Sequence, residues 1–249
     1  MEFEGKVVVV TGASSGIGRA TALKFAADGA RVAGVARNKK ALEKIESKQI
    51  KIYSADLSVE KDTETFVAAV IRDLGGIDIL VNAAGILTMG SIENTKLVEY
   101  DRMMNINVRS VFHLMQLALP SIVERKGNIV NVSSVTGLRA FPGVLAYCVS
   151  KAAIDQLTRC TALELAPKGV RVNAVNPGVV ETHLHLNGGM PDGTYTSFLE
   201  HSKTTHPLGR VGNPEEIADL ILYLASSKSG WITGGTFSID GGRALTCAR

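Results

Sequence analysis

Cysteine is scarce and unpaired. The three in the chain, Cys148, Cys160 and Cys247, are an odd number without a paired spacing, which speaks against a disulfide framework and for reduced thiols in the cytoplasm. An excess of either charge is also missing. Lys and Arg total 27 against 24 for Asp and Glu, and the net +3 is dispersed, so no nucleic-acid partner is expected. No stretch approaches a membrane span, and no membrane partner is expected. Met1 to Lys6 holds two acids and lacks the basic segment and long apolar core of a signal peptide. Nor is there a composition break that would mark a linker, so residues 1–249 read as a single domain.

What is present is a regular alternation of apolar runs and helical periods. Lys6–Val10, Arg31–Ala36, Ile50–Ser54, Ile77–Val81, Asn128–Val132, Val170–Val175 and Thr236–Ile239 read as strands. Gly16–Asp28, Lys39–Ser47, Val59–Leu74, Leu97–Arg125, Tyr147–Ala166 and Pro214–Ser226 read as the helices between them. Repeated βα units of this kind predict an α/β fold: a doubly wound, Rossmann-type parallel sheet of about seven strands with helices on both faces.

Ligands of such sheets lie along the carboxyl edge, so the residues after each strand are the informative ones. After the first strand comes a glycine-rich turn opening a helix, in which Gly12, Ser14, Ser15, Gly16, Ile17 and Gly18 can cradle a pyrophosphate against free N–H groups. Its G-x-x-x-G-x-G spacing is not the common G-x-G-x-x-G, and by itself it could be plain turn chemistry. After the second strand stand Ala36 and Arg37 where an NAD binder would place an acid. A guanidinium there favours a ribose phosphate, hence NADP(H) over NAD(H). Arg19, Lys39 and Lys40 could assist, though each also reads as a solvated helix charge. Asp56 and Leu57 follow the third strand, Asn82, Ala83 and Gly85 the fourth, and Pro177, Gly178, Val180 and Thr182 the sixth. Small residues let a flat ring approach the backbone, while Asp and Asn can bond ribose or base; each alone could be a turn residue.

After the fifth strand comes Ser134, and Tyr147 and Lys151 open the next helix four residues apart, on one face. A free phenol has a pKa near ~10, and a fixed cation beside it lowers that value. Lys151 is the candidate cation, Tyr147 the proton carrier, and Ser134 the hydroxyl that holds a carbonyl oxygen. A lone YxxxK is also an ordinary helix pair. Cys148 beside Tyr147 reads as a small packing residue rather than a nucleophile.

Taken together, Thr11-Gly12-Ala13-Ser14-Ser15-Gly16-Ile17-Gly18, Asn82-Ala83-Ala84-Gly85, Ser134, Tyr147-Cys148-Val149-Ser150-Lys151, Asn176-Pro177-Gly178 and Asp240-Gly241-Gly242 resemble the short-chain dehydrogenases and reductases over nearly the whole chain. The resemblance implies an enzyme that passes a hydride between a nicotinamide and a carbonyl or alcohol. The family's serine lies thirteen residues before its tyrosine, which selects Ser134 over Ser133. The family's helix asparagine maps to Asn107 rather than Asn105, because Val108 follows it. Lys151 would bond the nicotinamide ribose, Asn107 would support a water chain to Tyr147, and Pro177, Gly178, Val180 and Thr182 would frame the nicotinamide. Homotetramers or homodimers are implied, with contacts on the helices beginning near Asn105 and Tyr147 and on the terminal strand.

His183 to Gly212 is expected to close over the substrate. Leu184, Leu186, Met190, Tyr195, Phe198 and Leu199, with Leu138, Phe141 and Leu145, predict an apolar pocket, and Leu138, Leu184 and Met190 join Ser134 and Tyr147 as the substrate-binding set. His183 and His185 lack a third ligand, and no metal is expected. The expected activity is NADP(H)-dependent reduction of a ketone or aldehyde, such as a beta-keto acyl thioester or keto-steroid. The alternatives are an NAD-dependent alcohol or hydroxysteroid dehydrogenase and a non-catalytic NADP(H)-binding sensor.

Overall fold

A computed structural model describes residues 1–246; Cys247 lies outside the described residues, while Cys148 and Cys160 are free thiols. Seven strands, β1 (Val7–Thr11), β2 (Arg31–Ala36), β3 (Ile50–Ser54), β4 (Ile79–Asn82), β5 (Asn128–Val132), β6 (Arg171–Pro177) and β7 (Thr236–Ile239), form one sheet in the order β3-β2-β1-β4-β5-β6-β7. Every pairing is parallel. A central parallel strand is covered on both faces, which is why β1 is an unbroken buried run, VVVVT. Its alternate residues serve different layers. Val8 and Val10 pack with Phe25, Ile217 and Ile221 on one face, while Val7 and Val9 pack with Phe66, Leu114 and Ile154 on the other.

Helices α1 (Gly16–Ala27) and α10 (Pro214–Ala225) cover the first face, and α3 (Glu60–Leu74), α5 (Ser110–Glu124) and α7 (Leu145–Leu165) cover the second. Local sequence sets their ends. Pro214 occupies the first position of α10, and the Glu216 carboxylate accepts from the Asn213 N–H at 2.9 Å. Gly75 closes α3 in the left-handed region, φ 77°, its N–H donating to Ile71 O at 2.8 Å.

Three elements differ from the reading of the sequence. Helix α2 (Lys39–Glu43) is a turn shorter than expected. The helix from Leu97 is continuous but not regular: α4 (Leu97–Met104) passes through a π turn at Asn105–Arg109 into α5. The segment after β6 is not a plain loop, since it folds into α8 (Leu184–Asn187) and α9 (Asp192–Thr205).

The expectation that no stretch approaches a membrane span is corrected. Leu97–Glu124, 28 residues, is long and apolar enough to cross one by length and composition. Its apolar character has a different cause, because Val111, Leu114, Met115, Ala118 and Ile122 lie in the packed layer between α5 and the sheet.

Candidate functional site

The strand order reverses between β1 and β4, and the two strand ends are joined there. The Thr11 Oγ1 accepts from the N–H groups of Ala83 and Ala84, both at 2.9 Å. Gly12, at φ 68°, sits so close to that junction that an added Cβ would lie 3.0 Å from Ala83 O. Gly18 packs α1 onto the turn, where a Cβ would meet Gly12 O at 2.5 Å. Ser15, at the start of α1, makes no side-chain cap, which leaves the first-turn N–H groups facing the cleft. A tight turn with open donors at a helix start fits a pyrophosphate.

From this turn a cavity of about 1280 Å³ runs along the carboxyl edge of the sheet. Gly12, Ser14, Ser15, Gly16, Ile17, Gly18, Arg37, Asp56, Leu57, Ala83, Gly85, Pro177, Gly178, Val180 and Thr182 all line it, as do Ser134, Tyr147, Lys151, Leu184 and Met190. Three residues of the expected catalytic, cofactor and substrate set do not: Asn107, which is buried behind it, Asn82 and Leu138. Asn82 is buried, and its amide donates inward to Asn131 Oδ1 at 2.8 Å, because a side chain on the last residue of a central strand points into the packed layer. Leu138 ends the single-turn helix α6 (Val135–Leu138) and is exposed to solvent, outside the cavity.

At one end of the cavity Arg37 follows β2 beside Asp56. Burial would raise the Asp56 carboxyl, but bonds from the Ser58 hydroxyl (2.6 Å) and N–H (3.0 Å), with the Arg37 charge, hold it below its ordinary value. Its Oδ1 is thus committed to the turn, while Arg37 lines the cavity at the end of β2.

At the other end Ser134 begins α6 in extended conformation, its hydroxyl accepting from the Thr136 N–H at 3.1 Å and lying on the same cavity wall as the Tyr147 phenol. Lys151 follows Tyr147 by one turn of α7, with Nζ 5.6 Å from the ring centroid and donating to Val132 O at 2.8 Å. Both side chains are buried. Burial pushes the Tyr147 phenol up to about 12 despite the nearby Ser134 hydroxyl, and pulls the Lys151 ammonium down to about 8 against the pull of Asp155. Burial thus acts on the phenol against the expected lowering, and Lys151 Nζ is engaged by the strand carbonyl. The phenol is a protonated donor at neutral pH.

The π turn positions Asn107 behind this pair. Its Oδ1 accepts from the Ile86 N–H and its Nδ2 donates to Ile86 O, each at 2.9 Å, and also to Ser150 Oγ at 3.1 Å. Asn105 instead donates to Ser58 O at 3.3 Å, away from Tyr147. A Cβ on Gly85 would lie 3.4 Å from Asn107 Oδ1 and 3.7 Å from Lys151 Nζ, so the two polar groups approach the cavity from behind one glycine.

The sequence reading missed a second polar layer. Asp155, one turn beyond Lys151, is buried, and burial raises its carboxyl although the Asn176 amide donates to it. Asn176 Nδ2 reaches both Asp155 oxygens at 3.0 Å and Ser134 O at 2.9 Å, and Ser133 Oγ donates to Lys151 O at 3.1 Å. This layer ties the ends of β5 and β6 to α7. The Lys151-x-x-x-Asp155 spacing was its available signal. Another missed residue is His206, whose Nε2 accepts from the Val179 N–H at 3.1 Å while Nδ1 bonds Ser202 O at 2.7 Å, joining α9 to the loop after β6. His183 is exposed, and the His185 ring packs at a tilt of 43° against Phe198, centroids 4.5 Å apart.

Comparison with known proteins agrees with this geometry. A family model described as enoyl-(acyl carrier protein) reductase matches residues 12–244. The 3-oxoacyl-[acyl-carrier-protein] reductase of Thermotoga maritima is 38% identical, with 98% of this chain and 100% of that one covered. A Caenorhabditis elegans short-chain dehydrogenase/reductase of unknown function, solved with cofactor, superposes with TM-score 0.94 at 36% identity, covering 100% and 98% of the two chains. A 3-ketoacyl-(acyl-carrier-protein) reductase from Brucella melitensis complexed with NADH gives TM-score 0.89 at 32% identity, covering 97% and 99%. A nicotinamide-dependent enzyme acting on CH–OH or C=O groups is what the sheet edge, the glycine turn and these relatives share, and the chain belongs to the short-chain dehydrogenase/reductase family.

Proposed function

We propose that this chain reduces a ketone or aldehyde to an alcohol with NADPH, and that its substrate is a largely apolar carbonyl compound such as a beta-keto acyl thioester or a keto-steroid. The observation that carries the reading is one continuous cavity with a pyrophosphate turn at one end and a protonated phenol, Tyr147, beside Ser134 at the other. When bound, the nicotinamide supplies the hydride. Gly12, Ser14, Gly16 and Gly18 would hold its phosphates, Lys151 its ribose, and Pro177, Gly178, Val180 and Thr182 its ring. Ser134 holds the carbonyl oxygen, and Tyr147 gives that oxygen a proton as charge builds on it. Asn107 anchors the Ile86 backbone behind Lys151, where a water chain could restore the proton.

Arg37 supports NADP(H) over NAD(H), since a guanidinium at the end of β2 can pair with a ribose phosphate. The alternative, an NAD-linked dehydrogenase, draws on the relative complexed with NADH. We further read the chain as a single domain, as a homotetramer or homodimer through Phe112, Val149, Leu163 and Trp231, which are apolar and exposed, and as cytoplasmic.

The test is a panel of carbonyl compounds followed by loss of NADPH absorbance, run beside NADH. Consumption that disappears in Tyr147→Phe supports the reading. A Tyr147→Phe variant with full turnover refutes it, and cofactor binding without turnover of any panel member favours the sensor.

A further inference from the structure

We infer that the substrate carries an anionic group, and that Arg243 is the residue that receives it. The inference deepens the carbonyl-reductase reading and rests on it. Arg243 opens the short turn Arg243–Leu245 that follows β7, and that turn packs against α6, the helix Ser134 begins. Arg243 lines the same cavity as Ser134 and Tyr147.

Its placement is built rather than incidental. The Asp240 carboxylate accepts from the N–H groups of Gly242 at 3.0 Å and Ala244 at 2.6 Å, which fixes the backbone on both sides of Arg243. Arg139, just past α6, donates to the carbonyls of Ala244 (2.7 Å) and Thr246, tying the turn to the Ser134 loop. The Arg243 guanidinium lies 5.0 Å from the centroid of the Phe141 ring, which sets its plane, and its one hydrogen bond among the described residues goes to Thr246 Oγ1 at 3.0 Å. Most of its five donors are left for a ligand.

A second observation points the same way. The Thr136 hydroxyl, two residues past Ser134 in the same wall, is buried and has no hydrogen-bond partner among the described residues. A buried donor without a partner is costly, and a turn of the Thr136 side chain toward the cavity it lines would let a ligand accept from it. The sign of the surroundings completes the case. Among the described residues, Asp56 is the only carboxylate lining the cavity, and it lies at the Arg37 end. The substrate end thus offers a cation, an unused hydroxyl and apolar walls from Phe141, Leu184 and Met190, with no acid to repel a negative charge. A carbonyl compound bearing a carboxylate or phosphate, joined to the reacting carbon by an apolar spacer, fits this arrangement. A neutral ketone leaves the Arg243 charge without a counter-charge at this end of the cavity.

The test uses acetoacetate, levulinate and the next higher oxo acid, each against its methyl ester, with NADPH and the full-length enzyme. Wild type is expected to prefer at least one acid over its ester in kcat/KM. Arg243→Gln is expected to lower that acid-to-ester ratio about 10- to 100-fold, the loss of one charge-assisted contact, and Arg243→Lys to restore part of it. An ester preference in wild type, or an unchanged ratio in Arg243→Gln, overturns the inference. If no compound is reduced, the reaction reading fails by itself, and calorimetric binding of the same acids to the NADP(H)-loaded protein decides the site. Binding that is lost in Arg243→Gln supports the site, whereas no binding, or binding indifferent to the substitution, overturns it.

Discussion

Lys151 carries a cost that can be measured without any substrate. Its ammonium is buried and its pKa falls from 10.5 to about 8, chiefly through desolvation. For a lysine lowered on folding, the unfolded chain binds more protons between the two values, so stability rises with pH across that window. Below pH 8 the full lowering, from 10.5 to about 8, opposes folding by about 3 kcal/mol. Between pH 7.5 and 9.5 the linkage recovers about 2 kcal/mol of it. Lys151→Met removes the titration and leaves Val132 O, the acceptor at 2.8 Å, without its donor, which costs about 1–3 kcal/mol. The two effects largely cancel near neutral pH. The variant is therefore expected to be inactive yet about as stable as wild type at pH 7.5, and less stable relative to it at pH 9.5. Urea unfolding of both proteins at the two values, without cofactor, checks this. Tyr147 leaves the comparison intact, since its pKa is raised to about 12 and it titrates above the window in both proteins. Parallel pH dependence in wild type and Lys151→Met would refute the reasoning.

Other outcomes follow from single contacts. Arg37→Asp should shift the ratio of kcat/KM for NADPH over NADH by about 10- to 100-fold toward NADH, measured with one carbonyl substrate; an unchanged ratio would remove Arg37 from the cofactor site. Asn107→Leu strands the Ile86 N–H and C=O, both bonded at 2.9 Å, and should lower unfolding free energy by about 3 kcal/mol in urea. Phe25→Ala removes a fully buried ring packed edge-on to Phe3 at 4.8 Å, and should cost about 3–5 kcal/mol in the same assay with little effect on KM.

The sheet was legible because each strand is a short apolar run closed by small or polar residues, and the strand ends carried most of the site for the same reason. Properties set by depth rather than spacing were not legible. The four-residue step from Tyr147 to Lys151 fixes a shared face, but not that Nζ bonds Val132 O or that burial raises the phenol. Asn82 and Leu138 sit at promising positions in the chain, yet one turns into the packed layer and the other into solvent. Helices α8 and α9 escaped notice because α9 mixes apolar and polar residues without a clean period. The π turn was hidden inside an amphipathic stretch that reads as one long helix.

That turn has a consequence for how the chain tolerates change. A regular helix advances about 100° per residue, and the wider winding at Asn105–Arg109 lets the helix absorb surplus backbone without unwinding. Asn107 owes its aim at Ile86 to this slack. Excising one residue here would tighten the coil and swing the amide away, so the middle of an otherwise ordinary helix is as sensitive to a one-residue deletion as a reading frame is to a lost base.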